Sequence, residues 1–375
     1  MKSSDLIAEF LKKLEIKVVF GIIGSANSHI FNSITNCGYT KIVCVHHEQA
    51  AVLAAGAYFR ASGKISSAIV TAGAGSSNAI TGVLSNWADS IPCIIISGQE
   101  KTEYLERHQN LRMFGIQGFD VSSAVSKITK YSKTITDSTS IQKELEHAYK
   151  ISMSGRPGPV WLDFPFDIQH LHTEQKEWKL NLPNPLAFDA APIIIKNDID
   201  YVIKCLNEHQ RPVIVAGNGV RLSGAKNQLI DLIEKTKIPT LLTWSAIDLL
   251  EEDHPQFVGR SGITGQRRSN FIIQNSDLIL VLGSRMSLLQ TGYDINKFAP
   301  KAKIIMVDID HAEWYKHHQR FNRLIQLDVK YFINELNKKV TPNNYDEWIS
   351  YCKKMCNEFD PKLEKYEDTE GYINS

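Results

Sequence analysis

Long hydrophobic runs are missing from this chain. Its apolar blocks are of the length of Asp277-Leu278-Ile279-Leu280-Val281-Leu282-Gly283, far below the roughly 20 residues a bilayer-crossing helix needs, so no membrane span is expected. An excess of either charge is missing too. Lys plus Arg number 42 against 41 Asp plus Glu, a net charge of +1, which excludes a global field that would recruit nucleic acid or an anionic membrane. Cysteine pairs are absent: Cys37, Cys44, Cys93, Cys205, Cys352 and Cys356 are scattered and none forms Cys-x-x-Cys, so the six read as reduced thiols rather than a metal or redox motif. The first residues, Met1-Lys2-Ser3-Ser4-Asp5, lead into an amphipathic pattern (Leu6, Ile7, Phe10, Leu11, Leu14) and not into an apolar block with a cleavage site, which reads as a cytoplasmic protein. What remains is a chain of 375 residues, 43% hydrophobic and 22% charged. That is the composition of a globular protein, long enough for two or three domains at roughly 100 to 200 residues each.

Short β-branched runs alternate with segments of helical periodicity, the pattern of parallel sheets with helical crossovers. In the first part, strands are predicted over Lys17 to Phe20, Ile42 to Val45, Ser67 to Thr71, Cys93 to Ser97 and Pro159 to Phe164. Periodicity then fails. Between about His170 and Pro192 the charged run Thr173-Glu174-Gln175-Lys176-Glu177 and the prolines Pro183, Pro185 and Pro192 mark a linker. A second α/β unit follows, with strands predicted over Pro212 to Ala216, Thr240 to Thr243, Leu278 to Leu282, Ile304 to Val307 and Leu324 to Leu327. Past Thr341-Pro342-Asn343-Asn344, Tyr345 to Tyr366 reads as one more amphipathic helix, ending in the tether Glu367-Asp368-Thr369-Glu370-Gly371.

Three strand-to-helix turns carry the chemistry. Glu48, in Val45-His46-His47-Glu48-Gln49-Ala50-Ala51, should sit at the carboxyl end of a strand, where open α/β sheets bind ligands. Read alone, it could equally do no more than complement a helix dipole, worth about 0.3 to 1 kcal/mol. The turn Val70-Thr71-Ala72-Gly73-Ala74-Gly75-Ser76-Ser77-Asn78 lets a ligand approach free backbone N–H groups. It is not a phosphate loop of the Walker type, since no Gly-Lys-Ser/Thr follows. Phe20-Gly21-Ile22-Ile23-Gly24-Ser25-Ala26-Asn27 has the same character.

Taken in order with Asp89-Ser90-Ile91-Pro92, Ile128-Thr129-Lys130 and Gly155-Arg156-Pro157-Gly158-Pro159-Val160, these turns resemble the thiamine diphosphate-dependent enzymes of the acetolactate synthase, benzaldehyde lyase and pyruvate decarboxylase group. The resemblance implies an α/β fold of two doubly wound, mainly parallel-sheet domains. These are a pyrimidine-binding domain over 1–170 and, after a linker over 171–191, a central Rossmann-like domain over 192–340. A helical tail over 341–375 completes the chain. It also implies that Glu48 hydrogen-bonds the cofactor's aminopyrimidine and so promotes loss of the thiazolium C2 proton, the electron sink being the cofactor's own. Ile23, Gly24 and Ser25 would lie beside the pyrimidine, Gly73 and Asn78 would shape the same pocket, and Gln117 matches a Gln lining the reaction chamber. As a loop amide, Gln117 could instead cap backbone groups. His46 and His47 do not match the family's paired decarboxylase histidines and are read as packing or solvated residues.

The resemblance is incomplete. Ile23-Gly24-Ser25 stands where acetolactate synthases usually have Pro-Gly-Gly, and Gly73-Ala74-Gly75-Ser76-Ser77-Asn78 where they have Gly-Pro-Gly-Ala-Thr-Asn, which leaves the donor and acceptor open between a small 2-keto acid and an aldehyde. In the second unit, Ala216-Gly217-Asn218-Gly219-Val220 and the carboxylates Asp308 and Asp310 suit a dinucleotide, although the spacing is not Gly-x-Gly-x-x-Gly. By resemblance, Arg156, Gly217, Gly265, Arg285 and Asp308 match places that hold FAD in the synthases; other relatives use the same domain without flavin. The family's Gly-Asp-Gly motif, which holds the diphosphate through Mg²⁺ on a third domain, does not occur in the 375 residues, so no metal ligand is expected in this chain.

The expectation is therefore the N-terminal two-domain part of a thiamine diphosphate-dependent 2-keto acid decarboxylase or carboligase, inactive without the diphosphate-binding domain. It is expected to be a homodimer or tetramer with the Ala/Gly-rich helix after Glu48 near the interface. The alternative is a non-catalytic flavin- or nucleotide-binding regulatory subunit. An NAD-dependent oxidoreductase is disfavoured by the irregular glycine spacing and the lack of a hydride site such as Tyr-x-x-x-Lys.

Overall fold

The computed structural model describes residues 1–107, 112, 113, 115–172, 178, 192–316 and 319–360. Two compact units divide the chain, Met1–Ala187 and Phe188–Ser375.

In the first unit, β1 (Val18–Gly21), β2 (Lys41–Cys44), β3 (Ser67–Val70), β4 (Ile94–Gln99), β5 (Tyr131–Thr134) and β6 (Val160–Pro165) form one sheet in the order β2-β1-β3-β4-β6-β5. Every pairing in it is parallel. The helices α1 (Ser3–Lys13), α2 (Ser28–Cys37), α3 (Glu48–Ser62) and α4 (Ala74–Ala88) belong to this unit. Its central strands β3, β4 and β6 are buried throughout, as continuous apolar runs covered on both faces require. Phe10, Ile34, Ile94, Leu162 and Phe164 lie in one buried cluster and Val52, Val70, Ile95 and Trp161 in another. Because the chain passes from β1 to β2 on one side and then to β3 on the other, the sheet reverses direction at β1. The carboxyl ends of β1 and β3 flank the crevice that such a reversal opens.

The second unit repeats the plan. β7 (Pro212–Ala216), β8 (Thr240–Leu242), β9 (Leu278–Leu282), β10 (Lys303–Asp308) and β11 (Arg323–Gln326) stand in the order β11-β10-β9-β7-β8, again all parallel. Its reversal lies between β7 and β9. A single cluster including Ile214, Val281, Met306, Phe332 and Trp348 forms the core.

Several details go beyond the sequence reading. β5 carries no apolar run: Tyr131-Ser132-Lys133-Thr134 is an edge strand with only intermediate or exposed side chains, so its sequence gave no signal of burial. Pro192, read as a linker breaker, is the first residue of the helix Pro192–Glu208, a position where the missing N–H costs nothing. Within the stretch read as linker, Trp178 is buried and stacks on Phe10 at 5.8 Å between ring centroids, with its Nε1 donating to Glu146 Oε1 at 2.6 Å. The tail helix runs Asp346–Glu358; its predicted continuation over 361–366 and the tether at Glu367-Asp368-Thr369-Glu370-Gly371 lie outside the described residues. Among the described residues no helix is long and apolar enough to cross a membrane.

Candidate active site

Glu48 opens α3 directly after β2, with His47 as N-cap accepting from the Gln49 N–H at 3.2 Å through Nδ1. Its side chain turns inward. The residue is 8% exposed, an unusual state for a carboxylate, and its Oε2 accepts a hydrogen bond from Asn78 Nδ2 at 3.0 Å. Asn78 stands on the first turns of α4, so the two helices that leave β2 and β3 are tied at their starts. Their packing is close because both carry glycine at the crossing. A Cβ on Gly56 would come within 2.2 Å of Asn86 Oδ1, and one on Gly82 within 2.7 Å of Val52 Cβ.

The three turns converge on Thr71. A Cβ built on Gly24 would stand 2.5 Å from Thr71 Oγ1, and one on Gly75 would stand 2.6 Å from Thr71 Cγ2 and 3.2 Å from Glu48 Oε1. Neither position admits a side chain. Asn27, fully buried, staples the first turn: its Oδ1 accepts from the Gly24 N–H at 2.8 Å and its Nδ2 donates to the Ile22 carbonyl at 3.0 Å. Thr71 Oγ1 itself is buried and without a hydrogen-bond partner among the described residues. Such a group costs about 1 to 3 kcal/mol unless something else satisfies it.

Of the sequence-predicted residues, the fold brings Glu48, Gly24, Gly73 and Asn78 together around this crevice. Gln117 joins them, since a Cβ on Gly73 (φ +69) would stand 2.6 Å from its carbonyl oxygen and 2.9 Å from its Cβ. Ile23 and Ser25 sit on the same turn with exposed side chains. Arg156, matched by resemblance to a flavin-holding place and not to this crevice, lies elsewhere. It precedes β6, at the opposite end of the sheet, where its Nε donates to Ser90 Oγ at 2.8 Å. The Lys130 amide donates to the Pro159 carbonyl at 2.8 Å nearby, and burial lowers the Lys130 ammonium to about 8. The motifs around Asp89, Lys130 and Arg156 thus hold one another. His29 packs against Phe166 and His170, with its imidazole held below the usual value by burial and then by His170 and Lys2. His46 and His47 are exposed.

In the second unit, Gly217, Arg285 and Asp308 follow or end β7, β9 and β10, three neighbouring strands. The space beside Gly217 is taken by the chain itself: a Cβ there would stand 2.3 Å from the Gly283 carbonyl oxygen, and one on Gly219 would stand 2.7 Å from Gly283 Cα. Asp308 Oδ1 accepts from the Asp310 N–H at 2.9 Å. Gly265 lies in a loop closed by its own N–H donating to the Gly262 carbonyl at 3.0 Å. Among the described residues no group of three or more His, Cys, Asp or Glu side chains could hold a metal ion.

Sequence reasoning missed Thr71, Asn27, Gln99, Glu100 and Asp163. Thr71 stood inside a quoted motif, and its importance shows only once the turns meet. Asn27 also stood inside a quoted motif and staples its own turn, whereas Gln99, Glu100 and Asp163 act through partners distant in sequence.

Comparison with known proteins agrees with this geometry. Residues 1–122 match the family described as thiamine pyrophosphate enzyme, N-terminal TPP binding domain, and residues 199–336 match thiamine pyrophosphate enzyme, central domain. The chain is 30% identical over 358 residues to the acetolactate synthase isozyme 2 large subunit of Escherichia coli strain K12, covering 96% of this chain and 62% of that protein. It is 34% identical over 318 residues to a probable acetolactate synthase large subunit of Methanocaldococcus jannaschii, covering 84% of this chain and 52% of the relative. Against acetolactate synthase 1, chloroplastic, of Oryza sativa subsp. japonica the identity is 29% over 368 residues, 96% of this chain and 55% of the relative. The chain thus spans between about half and three fifths of the length of these curated relatives.

Proposed function

We propose, from the premise that this chain belongs to the thiamine pyrophosphate enzymes and carries their N-terminal and central domains, that it supplies the pyrimidine-activating half of a carboligase or decarboxylase of the acetolactate synthase kind. The observation that carries the proposal is the Glu48 carboxyl, buried where two glycine turns meet at a switch-point crevice.

The crevice fits an aminopyrimidine. It offers one carboxyl, an unsatisfied Thr71 hydroxyl and turns stripped of side chains. When bound, thiamine diphosphate supplies a nucleophilic carbon and an electron sink for making or breaking a bond next to a carbonyl. Asn78 fixes the orientation of Glu48 by occupying Oε2, and Oε1, on the Gly75 side, is the atom that shares a proton with a pyrimidine ring nitrogen. Burial keeps water from competing for that proton. Ile23, Gly24, Ser25 and Gly73 border the ring, and Gln117 faces a small 2-keto acid or aldehyde. By the family resemblance, the metal and the diphosphate would be held outside the two domains matched here.

Leu53, Leu84 and Trp87 of α3 and α4 are 40%, 50% and 39% exposed, apolar side chains that a second copy would cover; this supports a homodimer or tetramer. For flavin, Asp308, Arg285 and Gly217 at three adjacent strand ends form the candidate pocket wall, and visible flavin absorbance of purified protein tests it. The catalytic proposal is tested by Glu48→Gln in the enzyme completed by its diphosphate-binding domain. Thiamine diphosphate-dependent turnover of a 2-keto acid should fall by roughly 10²- to 10⁴-fold; unchanged turnover would remove Glu48 from the mechanism.

A further inference from the structure

Directly after β4, the Glu100 carboxylate faces a turn that the chain forms only after a further excursion. Glu100 Oε1 accepts hydrogen bonds from the N–H groups of both Ile116 and Gln117, each at 3.2 Å. The turn closes over the carboxylate because Gly115 has φ +56 and no side chain; a Cβ there would stand 2.6 Å from Glu100 Oε2. Farther along, the Phe119 carbonyl accepts from Gln99 Nε2 at 2.9 Å. Gln99 is buried and held in turn by Asp163 Oδ2, which accepts from the same nitrogen at 2.8 Å, while its Oε1 accepts from the Glu100 N–H at 3.0 Å. On its other side the turn rests against Gly73, through the Gln117 carbonyl and Cβ.

Apolar burial does not hold this turn. Ile116 is 91% exposed and Met113 49%, so the conformational entropy of ordering the segment must be offset by polar contacts. A carboxylate that accepts from two consecutive backbone N–H groups is the strongest of these, being charge-assisted.

We propose that Glu100 is a positioning residue: it latches the 115–117 turn onto the carboxyl end of the sheet and thereby sets Gln117 against the Gly73 rim of the crevice. This rests on the reading of Gln117 as a chamber residue, and the latch itself can be judged without it. Amide hydrogen exchange of Ile116 and Gln117 is compared among wild type, Glu100→Gln and Glu100→Ala, using this chain without cofactor. Glu100→Ala should speed exchange at those two amides by roughly tenfold or more while the amides of β3 and β4 keep their protection. Glu100→Gln, whose side-chain oxygen still accepts, should restore most of the protection. Equal exchange in wild type and Glu100→Ala overturns the latch. In the completed, cofactor-loaded enzyme, Glu100→Ala should lower kcat/KM, and Glu100→Ala with Gln117→Ala should be no worse than Gln117→Ala alone. Multiplying losses overturn the claim that Glu100 acts through Gln117. Full activity of Gln117→Ala would overturn the chamber reading, and the exchange rates would still decide the latch.

Discussion

The two units share a plan and differ in what fills the place where the strand order reverses. In the first, the glycines Gly24 and Gly75 close around one side chain, Thr71, whose buried hydroxyl has no hydrogen-bond partner among the described residues, beside the Glu48 carboxyl. In the second, Gly217 and Gly219 close around backbone, the Gly283 peptide. The same topology thus yields a chemically armed groove in one case and a tight strand-end junction in the other. Glycine-rich turns at a switch point say where a ligand could go; the residue they enclose says whether chemistry follows.

The sharpest way to break this comparison is to remove the acid in each unit. Glu48→Gln should cost orders of magnitude in turnover, whereas Asp308→Asn should leave the chemical step intact and alter only flavin retention, read by kcat and by visible absorbance on the same preparations. A comparable loss from both substitutions would erase the distinction.

A second test asks what each glycine packs against. Gly75→Ala meets Thr71 Cγ2 and should destabilise by about 1 to 3 kcal/mol, as overpacking does; Thr71→Ser removes that methyl and should recover part of the loss. Gly217→Ala meets a carbonyl oxygen. It should destabilise at least as much, because the nearest atom it meets is backbone and cannot be trimmed. Urea midpoints of the single and double variants decide it.

The smallest expected effect concerns the sheets. The first buries Asp163 completely beside Ser97, which donates to its Oδ1 and itself accepts from Trp161 Nε1 at 2.8 Å. Burial raises this carboxyl to about 7, opposed by the hydrogen bonds from Ser97, Gln99 and Thr134, with Asp120 adding to the rise. A folded-state value above the unfolded one means stability that is complete below the unfolded value and lost as pH rises through the folded value. Between about pH 5 and about pH 8, wild type should lose ~2 kcal/mol more than Asp163→Asn. Parallel pH profiles of the two would place the ionisation elsewhere.

The legible part of the molecule was the part written in local pattern. Apolar runs gave ten of the eleven strands to within about two residues at each end, and glycine punctuation gave the turns that surround Glu48, Gly73 and Asn78. β5 escaped because an edge strand presents only partly exposed side chains and so has no apolar run to show. Thr71, Gln99 and Glu100 escaped for another reason: each acts on a residue brought near by a crossover, and nothing in the neighbouring sequence encodes the meeting.

The isolated bridge between Lys2 and His172, with the Ser3 N–H donating to the Leu171 carbonyl at 2.8 Å, brings the chain's first residues and the segment just after β6 and its short helix to one corner. A module whose ends touch can be lifted out, spliced into another gene, or circularly permuted without redrawing its interior. Joining residue 172 to residue 3 through a short spacer and opening a new start at the exposed Gly63 turn would preserve every strand neighbour, at the cost of the Trp178 stack on Phe10.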